Sequence, residues 1–383
     1  GCINGFERPN YFGPSNATDS FDQNSRSFRR AEWWQYSVKE AKAVRNGVGL
    51  IDATAFAKHL VKGPGATQFL DWFTCNKLPN VGHINLTYAL TAKGTTRTEY
   101  TIARFGEDEY YLVSSGAWTD YDADFLLKAA EDKVEEFGYI EVQNVSTQWG
   151  VFAIAGPKSR NVLNDVVKDE FSKTVFSNKR FPWLSVRKIE LGMCPVNAIR
   201  VAYTGELGWE LHHPIEMQNY LFDLLEKAGD KQGMKLVGAR AQNWLRQEKS
   251  YRAFGTELGR DATLLEAGLS RFVDFGKEFH GRADMEASDI RSTCVTLLIN
   301  GPDDADPWGR EALYDQDGRR IGRLTSGGYS VVFGKSIGMG YVEAGHAAVG
   351  ARLKVKMFDQ LWEAEITKDS PYDPKNESIR VDG

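Results

Sequence analysis

Tyr203-Thr204-Gly205-Glu206-Leu207-Gly208-Trp209-Glu210 is the stretch on which the reading of this 383-residue chain turns. Two glycines and a threonine make a tight reversal between two β-type runs, near 196–203 and 207–213. Tyr203 and Glu210 flank the reversal and can face one cavity. A flat heterocycle with an amidine-like edge needs such a pair: a ring to pack against and a carboxylate that accepts two hydrogen bonds. A plain hairpin with a solvated glutamate fits the same spacing, and spacing alone does not choose.

Upstream of this stretch, apolar residues alternate with helical and strand periods in turn. The pattern predicts a helix over 31–46 stopped by Gly47, a strand over 57–62, and a short helix opened by Gly63 and Pro64. Strands 99–104 and 110–114 follow, joined by Gly106, Glu107 and Asp108, and then a helix over 119–136. An apolar strand at 150–154 runs into Gly156, Pro157 and another helix, and a further strand lies near 186–190. Downstream of the reversal, Met217, Leu221, Leu224, Leu225 and Ala228 recur at helical spacing, predicting a helix over 215–231, with another over 239–252. Beyond about residue 290 the pattern becomes short strands, at 293–299, 319–325, 337–342, 351–357 and 362–366, separated by Gly and Asp. The architecture expected is α+β twice, then an all-β module, after an irregular arm over 1–27.

Composition narrows the class. The hydrophobic fraction is 42% and the charged fraction 26%, as in a soluble globular protein. The net charge of −5 is a poor match to nucleic acid, which needs a basic stripe, so no nucleic-acid partner is expected. No apolar run approaches the ~18 residues of a membrane span, and no membrane partner is expected. The start, Gly1-Cys2-Ile3-Asn4-Gly5-Phe6, shows no secretory pattern and no initiator Met, which suggests a processed chain or a piece of a longer one. Cys2, Cys75, Cys194 and Cys294 lie far apart with no CxxC, so reduced thiols in a reducing compartment and no metal site are expected.

Most short motifs carry bland readings. Gly334-Lys335-Ser336-Ile337-Gly338 spells GxSxG, but a strand follows it where a nucleophile elbow requires a helix. His212 and His213 are adjacent on a strand, so they point to opposite faces. No GxGxxG or P-loop is present, so the chain carries no flavin or nicotinamide fingerprint of its own. Arg246, in an amphipathic helix, suits either an ion pair or a carboxylate anchor. Glu99, at a strand entry, suits either a solvated face or a buried acid/base.

In this order and spacing the pieces resemble one family. They are Phe28-Arg29-Arg30, then Lys62-Gly63-Pro64-Gly65-Ala66 with Asn76, and Leu90-Thr91-Ala92-Lys93-Gly94 running into Glu99, Thr101 and Arg104. Ala155-Gly156-Pro157, Tyr203 to Glu210, Leu245-Arg246 with Glu248, Leu265-Glu266-Ala267-Gly268 and Thr325-Ser326-Gly327 complete the set. The chain resembles the folate-binding T-protein (aminomethyltransferase) family, and most of all the folate-binding C-terminal half of dimethylglycine and sarcosine dehydrogenases. Glu99 stands where the T-protein has a catalytic Asp, as in that half. Phe6-Glu7-Arg8-Pro9 resembles the joint that follows the flavin half of those enzymes.

The resemblance implies an α+β three-domain cloverleaf with a C-terminal β-barrel-like module. Its folate domain would take 28–55 and 146–255, a second α+β domain 56–145, and the C-terminal region 256–383, with the module at about 290–383. It implies tetrahydrofolate in a central channel, with Tyr203 and Glu210 on the pterin, Arg246 beside it or its tail, Tyr88 near it, and Glu99 as the catalytic carboxylate by the folate nitrogens. The activity implied is one-carbon transfer from an N-methylated amine, at the iminium or formaldehyde level, giving 5,10-methylene-tetrahydrofolate. Two alternatives stand beside it: transfer of an intact methyl group from a sulfonium or quaternary amine, and a non-catalytic docking module. A flavoprotein domain or subunit is the implied partner, and the cytoplasm, or a mitochondrial matrix in a eukaryote, the implied location.

Overall fold

The computed structural model describes residues 1–3, 5–14, 27–168 and 172–382, so residues 4 and 15–26 of the expected arm lie outside the described residues. Three β-structures organise the chain. The first is a six-stranded sheet in the order Val186–Leu191, Cys194–Ile199, Gly208–Pro214, Trp149–Ala155, Gly49–Asp52, Lys235–Leu236. All its pairings are antiparallel except that of Lys235–Leu236. The second is an antiparallel five-stranded sheet in the order Ile84–Leu90, Thr96–Gly106, Glu109–Ser114, Ala57–Lys62, Glu141–Asn144. The third is a closed six-stranded barrel built from strands between Ser292 and Thr367. The chain thus leaves the first sheet after Asp52, builds the second, and returns at Trp149. The fold is mixed α and β with a C-terminal barrel, as the pattern predicts.

Strand alternation decides what each sheet presents to its two sides. On Gly208–Pro214, Trp209 and Leu211 face a helical layer that includes Leu221 and Leu225, in a core with Phe152, Phe176 and Phe181. Trp209 is fully buried and meets Phe176 and Phe181 edge-on. Glu210 and His212 therefore point the other way, toward the second sheet. On Thr96–Gly106, Tyr100 and Ile102 belong to the core beneath the helix Ala66–Phe73, and Glu99 projects from the opposite face.

The structure departs from the sequence pattern in particular places. The strand expected over 196–203 ends at Ile199, where the Val201 N–H turns back onto the Ile199 carbonyl. Residues 200–207 therefore form a loop, not a tight hairpin turn. The helix expected over 119–136 breaks at Lys133 into Thr119–Asp132 and Val134–Phe137, and the one expected to 252 ends at Glu248. Ser250, just past that end, takes a left-handed φ of 55°. Ile84–Leu90 was hidden from period counting because its last four residues are all buried, leaving no alternation to read. Ser336 of the GxSxG spelling lies on the barrel strand Lys335–Glu343 and donates to Asp306.

Candidate active site

The loop before Gly208 is shaped by two glycines. Gly205 has φ 82°, and a Cβ there would stand 2.3 Å from Lys249 Cγ. At Gly208 a Cβ would meet the Ile154 carbonyl oxygen at 2.7 Å, so only glycine lets the loop settle on the neighbouring strand. This fit brings Tyr203 and Glu210 to one cavity, lined also by Ile51, Phe56, Ala153 and Gln242. The Tyr203 hydroxyl donates to the Arg252 carbonyl at 3.0 Å, and its ring stacks on Tyr251. That fixes the ring plane at the cavity wall.

Glu210 is held from behind. Its Oε2 lies 3.3 Å from His212 Nε2, and His212 Nδ1 lies 3.0 Å from the Tyr111 hydroxyl. Burial pushes the His212 pKa down, so the imidazole is neutral. A neutral ring has one donor, and the carboxylate needs it at Nε2; Nδ1 then accepts from Tyr111. This chain crosses from the first sheet to the second and aims Glu210 at the cavity.

Glu99 sits directly across from Tyr88 in the strand register, so both side chains share one face. The Tyr88 hydroxyl donates to Glu99 Oε1 at 3.2 Å. Glu99 keeps some accessible surface, yet protein surrounds it closely. Burial pushes its pKa up to about 7, against the opposing pull of Tyr88 and of the Arg246 charge. The Glu99 charge helps push the Tyr203 pKa up, so the two groups lie within electrostatic reach of one another.

Arg246 is buried and directs four of its five N–H groups to protein acceptors. It donates to Asn243 Oδ1 at 2.8 Å, to the Tyr251 carbonyl at 2.8 Å, to Glu257 Oε2 at 2.8 Å and to Ser326 Oγ at 2.6 Å. Glu257 also accepts from Thr325, Ser326, Thr256 and the Ala253 N–H. A register shift between Leu324 and Ser326 in the barrel strand turns both hydroxyls toward it. Burial alone would raise the Glu257 pKa; Arg246 and these hydroxyls outweigh it, and the carboxylate stays ionised. The pair stitches the helix Ala239–Glu248 to the barrel, and its two charges act on Glu99 in opposite senses, Arg246 pulling its pKa down and Glu257 pushing it up.

Comparison with known proteins decides the family. The GCVT N-terminal domain matches residues 1–277, and the glycine cleavage T-protein C-terminal barrel domain matches residues 293–373. The chain belongs to the glycine cleavage T-protein family. Among curated members it is 34% identical to dimethylglycine dehydrogenase, mitochondrial, of Rattus norvegicus, over 95% of this chain and 42% of that enzyme. It is 28% identical to 4-methylaminobutanoate oxidase (formaldehyde-forming) of Paenarthrobacter nicotinovorans, over 99% of this chain and 45% of that one. The chain thus spans less than half the length of either relative. Glycine cleavage system aminomethyltransferase T from Bartonella henselae shares the T-protein fold, with TM-score 0.78, 22% identity, and 89% and 91% of the two chains covered.

Within this T-protein fold, Tyr203 and Glu210 line one cavity, Glu99 lies within electrostatic reach of Tyr203, Tyr88 is buried and bonded to Glu99, and Arg246 is engaged by protein partners. Glu257, Gln242, His212 and Tyr111 also shape the site, and the sequence reading did not place them there. Glu257 lies in a segment without regular periodicity, and Gln242, His212 and Tyr111 gain meaning only through contacts that folding brings together. Among the described residues no group of three His, Cys, Asp or Glu side chains is placed to hold a metal ion, and no helix is long and apolar enough to cross a membrane.

Proposed function

We propose that this chain is a tetrahydrofolate-dependent one-carbon transferase that takes its carbon from an N-methylated amine, at the iminium or formaldehyde level, and yields 5,10-methylene-tetrahydrofolate. The observation that carries the reading is that Tyr203 and Glu210 line one cavity, with the Glu99 carboxyl in electrostatic reach of Tyr203. The cavity fits a pterin in chemistry: an oriented carboxylate for an N–H edge, a fixed aromatic wall, and a polar amide at Gln242. Tetrahydrofolate, when bound, supplies the nucleophilic nitrogens. Glu210 orients it, Tyr203 packs against it, and Glu99 takes up a proton at its carboxylate and balances developing positive charge. Arg246 and Tyr88 act through Glu99, by field and by hydrogen bond. The names of the two amine-oxidising relatives favour an amine donor and a flavoprotein domain or subunit as partner.

The test is single-turnover mixing of the chain with tetrahydrofolate and formaldehyde or a candidate amine with its oxidising partner, the folate product being identified by mass. Methylene-tetrahydrofolate is expected; methyl-tetrahydrofolate would replace the reading with intact methyl transfer. A tryptophan-fluorescence titration reads binding. Glu210→Gln should weaken it about ten- to hundredfold, the ~1.5–3 kcal/mol of a charge-assisted hydrogen bond. Unchanged affinity would remove Glu210 from the site.

A further inference from the structure

The Phe6-Glu7-Arg8-Pro9 arm has a place in the site that the mechanism above does not use. Its following residues cap the helix Ala239–Glu248. The Ala239 N–H donates to the Pro9 carbonyl at 2.9 Å and the Arg240 N–H to the Asn10 carbonyl at 3.1 Å. These are first-turn donors with no partner inside the helix. Glu40 ties the two segments, accepting from the Phe12 N–H at 2.5 Å and the Gly238 N–H at 3.0 Å. The fit is close, since a Cβ on Gly238 would stand 2.3 Å from the Asn10 carbonyl oxygen.

The arm is thereby held where Arg8 reaches Gln242. Arg8 Nη2 lies 3.0 Å from Gln242 Oε1. A guanidinium has donors and no acceptor, so the amide atom it meets must be oxygen. Arg8 therefore fixes which way the Gln242 amide faces. The amide N–H₂ is left without an acceptor among the described residues, and it is not sealed from open space. Gln242 lines the same cavity as Glu210 and Tyr203. One wall offers an acceptor at Glu210, and another offers a donor at Gln242.

We infer that Gln242 is the carbonyl-recognising, specificity-determining residue of this cavity, with Arg8 as the positioning residue that sets its amide. The complement is a 2-amino-4-oxo heterocycle, whose N–H edge meets Glu210 and whose ring carbonyl meets Gln242. This rests on the pterin reading of the cavity. A 4-amino heterocycle presents a donor to the Gln242 donor and is disfavoured. Without the Arg8 anchor the amide loses its fixed orientation, so its bond to a ring carbonyl weakens and its conflict with a ring amine is relieved.

The experiment measures affinities of the full chain for tetrahydrofolate and for its 4-amino-4-deoxy analogue, in the parent and in Gln242→Leu, Arg8→Ala and Arg8→Lys. The parent should favour the 4-oxo ligand. Gln242→Leu and Arg8→Ala should lose about tenfold on tetrahydrofolate, the worth of one hydrogen bond made or misplaced in a desolvated site. They should bind the 4-amino analogue at least as well as the parent does, so that retained affinity also reports an intact fold. Arg8→Lys, which keeps a donor for Oε1, should recover most of the discrimination. Equal losses on both ligands would reduce Arg8 and Gln242 to structural roles, and an unchanged ratio would overturn the inference while leaving the folate reading standing. Failure of the parent to bind either ligand would bring down the folate reading and this one with it.

Discussion

Glu99 and Glu257 are two enclosed glutamates in the field of the same arginine, yet they sit in opposite ionisation regimes. Glu257 is fully buried and accepts from Arg246, three hydroxyls and a backbone N–H. Glu99 has the Tyr88 hydroxyl, and burial carries its pKa up to about 7. The difference is in donors, not in depth. Burial penalises both charges, and hydrogen bonds made to the charged form repay only one of them. Arg246 could have settled Glu99, but it directs four of its five N–H groups to Glu257, Ser326, Asn243 and Tyr251 and none to Glu99. What remains for Glu99 is the field without the bond, which leaves a carboxyl whose charge changes near neutrality.

The strongest way to break this comparison is Glu99→Gln. It should cut single-turnover one-carbon transfer by roughly 10²–10⁴ while folate affinity stays within a few-fold. A rate within about threefold of the parent would contradict the acid/base role. Folding stability should hold or rise at pH 8. A carboxyl whose folded pKa is raised lends stability below its unfolded pKa of 4.5, and that contribution is lost as pH rises through about 7. The amide does not titrate.

Next in size is Glu257→Ala, which strands Arg246 as a buried charge. It should destabilise the protein by about 3–5 kcal/mol in denaturant titration. The double variant Arg246→Met, Glu257→Leu should recover much of that, because two apolar side chains replace a desolvated pair. A small loss in Glu257→Ala would mean that the pair does not hold the barrel to the helix.

A third test sharpens the contrast through pH. Transfer rate should rise about tenfold per unit below pH 7 and level off above it, as an essential base ionises. Glu257 stays ionised over this range and adds no limb. The limb should vanish from the residual activity of Glu99→Gln. A limb that persists there would belong to some other group.

The smallest expected effect is that of Tyr88→Phe. Removing the one donor should move the limb to higher pH by less than about one unit, the ~0.5–1.5 kcal/mol of a single hydrogen bond. A limb that moves to lower pH would show that Tyr88 does not stabilise the ionised form.

Much of this was legible in local pattern, and the exceptions share a cause. The strand Ala57–Lys62 and the glycine-shaped stretch before Trp209-Glu210 could be read because alternation and glycine act over a few residues. The break at Lys133 and the early end of the strand at Ile199 could not, because tertiary packing overrides propensity at element ends. Arg246 illustrates the same limit at the site: its place on an amphipathic helix left an ion pair and a carboxylate anchor equally open, and only the fold shows it paired with Glu257.

By itself, then, the sequence determined the α+β architecture, the separate barrel, the family resemblance, and Tyr203, Glu210 and Glu99 as the residues to examine. Each depends on short-range periodicity or on motifs in order along the chain. Only the tertiary structure decided that Arg246 pairs with Glu257, that Tyr111 of the second sheet backs His212 against Glu210, and that the arm meets Gln242 through Arg8. Residues 8 and 242, or 111 and 212, share no local pattern. A donor meets its acceptor only after folding has closed the long loops between them, and the ionisation of each buried group depends on which bonds that closure leaves unmade.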